Sequence, residues 1–139
     1  MIVLDTNIIS ELMKPTPEPS VIAWLDRQSA LSIWTTSVCV FEVRAGLNTL
    51  AAGQRQRRLT DRFETFLEEG LRGRVLSLDT QSANAAASIL ADCKSRGTPI
   101  DFRDLLIAGI VAATRATLAT RNTRHFAPTG VALVDPWNP

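Results

Sequence analysis

Short apolar runs alternate with helical stretches along the whole of this chain, and few folds accept that order. Met1-Ile-Val-Leu4 opens the sequence and reads as a buried strand. Further strands are predicted at Leu31–Thr36, Val75–Leu78, Thr117–Thr120 and Val131–Val134. Helical spacing fills the intervals. It predicts helices over Ile8–Met13 up to Pro15, Ser20–Gln28 after the Pro-rich turn, Val38–Leu50, Gln54–Glu69 closed at Gly70, Gln81–Ser95 closed at Gly97, and Asp101–Thr114. Strands separated by helices pack best as a parallel sheet covered on both faces, so the expectation is a single α/β domain over residues 1–139. The run Leu105–Ala113 is apolar nearly all round, which marks a central, buried helix.

Composition removes several classes of function. With 45% apolar and 21% charged residues the chain can build a core, and a net charge of +1 names no partner. Lys14 and Lys94 are the only lysines among the 15 basic residues, so 13 are Arg, the side chain suited to bidentate phosphate and carboxylate contacts. Cys39 and Cys93 are far apart, which excludes a disulfide scaffold or a cysteine-ligated zinc site and suits a reducing cytoplasm. His125 is the only histidine, so a multi-histidine metal site is impossible. No apolar run is long enough to span a membrane and no basic leader precedes the first strand, so a cytoplasmic protein without membrane contact is expected.

The carboxylates carry the chemistry. In parallel α/β sheets functional groups collect at the carboxyl ends of strands, and Asp5 directly follows the first one. Its competing role is a helix cap, for which Thr6 and Asn7 are also suited. Glu42 has Val38, Ala45 and Gly46 at helical spacing, a face on which a lone acid is costly unless it is paired, for example with Arg44, or binds metal. Asp101 and Asp104 share a face at a helix start, where both would suit the helix dipole as cap and first-turn acid. Three carboxylates within about 5 Å repel by roughly 3 kcal/mol per pair at an effective dielectric of about 20, so their convergence would need a cation. Oxygen-only ligands select Mg²⁺ or Mn²⁺.

Four segments stand out together: Ile2-Val-Leu-Asp5-Thr6-Asn7-Ile-Ile-Ser10-Glu11, Phe41-Glu42-Val-Arg44-Ala-Gly46, Asp104-Leu-Leu-Ile-Ala108 and Leu118-Ala-Thr120-Arg121-Asn122-Thr-Arg-His-Phe126. In order and spacing they resemble the PIN-domain ribonucleases, and more closely the VapC/FitB-type toxins of bacterial type II toxin–antitoxin systems. The resemblance runs to the closing Val134-Asp-Pro-Trp-Asn138. It implies an α/β/α sandwich with a short, mostly parallel central sheet. It also implies a Mg²⁺-dependent endoribonuclease, with Mn²⁺ able to substitute, whose catalytic and metal-binding acids are Asp5, Glu42 and Asp104 and whose products carry 5′-phosphate and 3′-hydroxyl ends. Where a fourth acid is common in that family this chain has Asn122, a further metal-site position with a carbonyl oxygen but no charge. Asp101 is the candidate substitute.

Thr6, Asn7 and Thr120 are expected to orient the acids or touch substrate. Arg121 and Arg124, with Arg115, form one candidate phosphate-binding group, and Arg55, Arg57, Arg58 and Arg62 a second. Trp24, Trp34 and Trp137 read as core or interface residues, and His125 as a packing or surface residue. The resemblance further implies a cognate antitoxin that lays a segment across the site, with homodimers or toxin–antitoxin hetero-oligomers and DNA reached only through the antitoxin. Val38–Phe66 is the candidate contact region. Two rival readings remain. A haloacid-dehalogenase-type phosphatase would need an acid where Asn7 stands. A weakly active or inactive PIN-fold module acting mainly through its antitoxin, in DNA binding and autoregulation, is kept open by Asn122.

Overall fold

Val3 and Leu4 have no exposed surface, and the strand they belong to is the middle of the sheet. The computed structural model describes residues 1–139. Its strands are β1 (Ile2–Leu4), β2 (Ile33–Thr36), β3 (Val75–Leu76), β4 (Thr117–Ala119) and β5 (Ala132–Val134). They lie in the order β3-β2-β1-β4-β5, every neighbouring pair parallel. The helices are α1 (Thr6–Leu12), α2 (Pro19–Asp26), α3 (Ser37–Asn48), α4 (Gln54–Thr65), α5 (Thr80–Ser95), α6 (Phe102–Thr114) and α7 (Thr123–Phe126). Helical crossovers send the chain outward from β1 to β3 and then back across the sheet to β4 and β5. α1, α3 and α4 accordingly pack with one another, as do α5, α6 and α7. This is the α/β sandwich expected from the sequence. No helix is long and apolar enough to cross a membrane.

The reversal of strand order beside β1 is the topological switch point of the sheet, where a crevice opens at the strand ends. Asp5 leaves β1 there, and Thr120, Arg121 and Asn122 leave β4 beside it. Both long helices flanking the crevice are anchored at their starts. Thr36 caps α3, its Oγ1 accepting from Cys39 N–H at 3.0 Å, and Asp101 caps α6, its Oδ1 accepting from Arg103 and Asp104 N–H at 2.9 and 3.2 Å. α6 is the buried helix its composition predicts, with Leu105 and all of Ile107–Val111 in the interior. It approaches α5 so closely that a Cβ on Gly109 would stand 2.6 Å from Ser82 O and 2.7 Å from the Ala86 Cβ. Only glycine permits that approach.

Three predicted boundaries are corrected. The second strand loses Leu31 and Ser32 to a 3₁₀ turn, in which Ser32 Oγ donates to Ser29 O at 2.6 Å. The third stops at Leu76, and the Leu78 N–H donates to Ser37 Oγ instead of to a neighbouring strand. The helix predicted to Glu69 ends at Thr65 and widens into a π turn over Phe66–Gly70, closed by Leu71 N–H on Phe66 O at 2.8 Å. The wider turn delivers Leu71 into the core.

A carboxylate cleft at the switch point

Asp5 is 4% exposed, and both its oxygens are engaged. Oδ1 accepts from the Thr6 N–H at 2.8 Å, and Oδ2 accepts from Thr120 Oγ1 at 2.7 Å and Asn7 Nδ2 at 3.3 Å. The Thr120 hydroxyl, fully buried, also accepts from Asn7 Nδ2 at 3.2 Å and the Asn122 N–H at 3.0 Å. Asn7 Oδ1 in turn accepts from the Arg121 N–H at 3.2 Å. The network clamps the end of β1 to the end of β4. Asp5 does cap α1, so its two candidate roles coincide, while Thr6 and Asn7 fall inside the first turn and are free to make these contacts.

Glu42 projects from α3, and its Oε1 accepts from Thr6 Oγ1 at 3.1 Å. Arg44 is not its partner. Arg44 instead pairs with Glu64 and lies over the Phe63 ring, 4.9 Å from its centroid. The cation facing Glu42 is Arg103, whose Nη1 is 3.7 Å from Oε2 and whose Nε is 4.0 Å from Asp101 Oδ1. Asp104, one turn into α6, lines the same cleft but makes no side-chain hydrogen bond or ion pair, and the cap is made without its carboxylate. The cleft, about 420 Å³, is lined by Asp5, Glu42, Asp104, Thr6, Asn7 and Asn122, with Ser10, Glu11, Lys14, Arg121 and Trp137 completing the wall.

All three acids hold their protons more tightly than usual. Burial pushes Asp5 up despite the hydrogen bonds from Thr120, Thr6 and Asn7. Burial also raises Glu42, with Asp5 and Asp101 adding to it against Thr6 and Arg103. Asp104 rises to about 6 through burial and the negative charges of Asp5, Asp101 and Glu42, with His125 opposing. Partly buried carboxylates gathered by the fold, one of them with no hydrogen-bond or ion-pair partner, are an oxygen donor set that fits a hard divalent cation. One ligand atom each from Asp5, Cys39 and Glu42 lies within 4.8 Å of the others. The Cys39 thiol, pushed to about 11 by burial and by Asp5, stays protonated and forms wall behind Asp5, 4.0 Å from its Oδ1.

Other expected residues fall elsewhere. Asp101 is exposed at the α6 cap and outside the cleft lining, because its carboxylate is spent on two backbone N–H groups. Arg124 is exposed on α7 and does not line the cleft. Arg115 precedes β4 and so stands at the opposite end of the sheet from the residues that follow it. Arg62 donates to Met13 O at 2.8 Å, which ties α4 to the end of α1. A second cleft, about 380 Å³, shares Thr6 and Glu42 with the first and continues between α1, α3 and α4, with Val43, Leu47 and Leu59 in it and Arg55 and Arg58 at its side. Arg103, Cys39, Glu11, Lys14 and Trp137 were not foreseen as part of the site. Only Arg103 had a local signal, lying between two aspartates at a helix start.

A parallel five-stranded sheet with an acidic crevice at its switch point defines a class, and residues 2–130 match the PIN domain family. The chain belongs to that family. It is 37% identical over 139 residues to VapC ribonuclease Y4jK of Sinorhizobium fredii, covering 100% of this chain and 99% of that one. It is 35% identical over 138 residues to toxin FitB of Neisseria gonorrhoeae, covering 99% of each. Among solved structures it superposes on a FitAB complex bound to an IR36 DNA fragment with a TM-score of 0.92 and 34% identity, across 100% of this chain and 97% of that one.

Proposed function

We propose that this chain is the toxin of a toxin–antitoxin pair and a divalent-metal-dependent endoribonuclease. The observation that carries the reading is the convergence of Asp5, Glu42 and Asp104 on one cleft, with the acidity of all three weakened chiefly by burial. Similarity to proteins named as a VapC ribonuclease and a FitB toxin supports the reaction class and the biological role. Mg²⁺, or Mn²⁺ in its place, supplies polarisation of the scissile phosphate and a bound water of lowered pKa. The chain does the rest. Asp5 and Asp104 would be the main ligands, with Glu42, which has an oxygen within 4.8 Å of one of Asp5, aimed by the Thr6 hydroxyl. Thr120 and Asn7 hold Asp5 in one rotamer with its charge facing the cleft. Arg121, at the cleft wall, meets substrate phosphate, and Asn122 offers a neutral oxygen.

The partner is an antitoxin, as the FitAB complexes among the structural relatives suggest. The apolar-floored cleft between α1, α3 and α4, with its arginine side, is suited to an amphipathic segment that continues into the carboxylate cleft. Purified chain should cleave RNA with Mg²⁺ or Mn²⁺, lose activity in EDTA and not recover it with Ca²⁺, which prefers more and longer ligand bonds. Cleavage that survives thorough chelation would overturn the metal-dependent reading. RNA left intact under every metal condition would favour the second reading, a module acting through its antitoxin, to which the neutral Asn122 gives some weight.

A further inference from the structure

Arg121 sits in a cleft lined by Asp5, Glu11, Glu42 and Asp104, yet its guanidinium makes no hydrogen bond or ion pair with any of them. A flexible cation among carboxylates should collapse onto one. Glu11, the acid that senses Arg121, is already bound by Lys14 Nζ at 2.5 Å and by the Glu18 N–H at 3.0 Å. What holds Arg121 is Trp137, with the guanidinium carbon 4.9 Å from the ring centroid. The indole packs against the edge of the hydrophobic core, and the backbone that carries it is held by its own turn. Its segment follows β5, the edge strand beside β4, and turns back where the Trp137 N–H donates to Asp135 Oδ1 at 2.9 Å and Asn138 Nδ2 to Asp135 Oδ2 at 3.3 Å. Trp137 is half-buried and lines the cleft itself. At its base, Arg121 is anchored by its N–H on Asn7 Oδ1.

We infer that Trp137 is a positioning residue that keeps Arg121 off the carboxylates and stationed for a phosphate of the bound RNA strand. The inference deepens the ribonuclease reading and rests on it. A guanidinium over an aromatic face keeps its N–H groups, which lie in the guanidinium's own plane, free for phosphate oxygens. Without the indole, Arg121 falls onto Glu11, Asp5 or Asp104, which costs a phosphate contact and sets a cation against the metal site.

The test is binding of a short, mixed-sequence, labelled single-stranded RNA in Ca²⁺, followed by anisotropy across a salt series, with cleavage in Mg²⁺ measured alongside. Trp137→Ala and Arg121→Ala should each weaken binding about five- to tenfold and flatten the salt dependence by about 0.7, one phosphate contact on a single strand. The double variant should be no worse than Arg121→Ala alone, and Trp137→Phe should restore most of the binding at an equal melting temperature. A structural role for Trp137 would lower the melting temperature without changing the salt slope. Wild-type binding that Trp137→Ala leaves unchanged, or a double variant in which the two losses add, overturns the inference while leaving the ribonuclease reading standing. Binding lost in both variants, with no cleavage by wild type in any metal, overturns the ribonuclease reading and keeps the arrangement of Arg121 and Trp137. A wild type that neither binds nor cleaves RNA overturns both.

Discussion

Asp5 and Asp104 line the same cleft and are treated in opposite ways by the fold. Asp5 is buried with three side-chain or backbone donors on its two oxygens, so the protein has compensated much of its charge and set its orientation. Asp104 is half-buried with no donor, and it faces Asp5, Asp101 and Glu42. The first carboxylate is part of the clamp between two strands. The second is held in an unfavourable place by a helix whose middle, Leu105 and Ile107–Val111, is buried. The difference teaches where the folded chain leaves charge for a ligand to balance, namely on the α6 side of the cleft.

Substitution should separate the two. Asp5→Asn and Asp104→Asn should each lower RNA cleavage by about three orders of magnitude, the loss of several kcal/mol of metal-assisted stabilisation. Their stabilities should diverge. Asp5→Asn puts an NH₂ where Thr120 or Thr6 donates and should cost about 1–3 kcal/mol in chemical unfolding. Asp104→Asn removes a charge that burial and the neighbouring acids disfavour and should make the metal-free chain slightly more stable at pH 7, by on the order of 1 kcal/mol once solvent screening of a half-buried group is allowed for. Equal destabilisation by the two changes would break the comparison.

Adding a negative charge to the cleft should act in the opposite direction to Asp104→Asn. Asn122 lines the cleft and makes no side-chain cap to α7, so Asn122→Asp adds an acid without removing a structural bond. Metal binding should tighten about 5- to 150-fold, and the Mg²⁺ needed for half-maximal cleavage should fall accordingly. Unchanged affinity would mean the side chain at this position does not reach the ion.

The smallest effect is on stability against pH. The Asp104 carboxyl titrates near 6 in the folded chain against an ordinary value of 3.8, so the folded state binds its proton more tightly than the unfolded state does. That contribution is fully present below about pH 4 and is lost as the pH rises through about 6. Metal-free wild type should therefore lose stability across this window by more than Asp104→Asn does, and unfolding midpoints at pH 4.5 and 6.5 would measure the gap.

Much of the frame was legible in the sequence because burial imposes period and composition. The β-branched run at Ile2–Leu4 and the all-round apolar α6 could occupy only the middle of the sheet and a covered layer. Strand order was not legible, since nothing local in β3 says that the next strand returns past β1. The carboxylates were legible one by one, from an acid after a strand, an acid on an apolar helix face and an acid at the start of a buried helix. Their contacts were not. Cys39 meets Asp5 across 34 positions and Trp137 meets Arg121 through a turn whose direction no residue type announces. Grouping arginines by sequence proximity placed Arg115 with Arg121, although β4 separates them by its own length. Several other arginines serve the fold, Arg74 by donating to Ile33 O, Ala30 O and Gly70 O, and Arg96 by donating to Pro128 O.

The affinity of the cleft for a divalent cation should depend on Asp104, whose charge the fold leaves without a hydrogen-bond or ion-pair partner. Calorimetric titration of Mn²⁺ into metal-free wild type and Asp104→Asn at pH 7, with unfolding curves to confirm that both are folded, tests it directly. Wild type should bind Mn²⁺ saturably and the variant at least about tenfold more weakly, the loss of one nearby anion. Equal affinities in two well-folded proteins, or no binding to wild type, would contradict it.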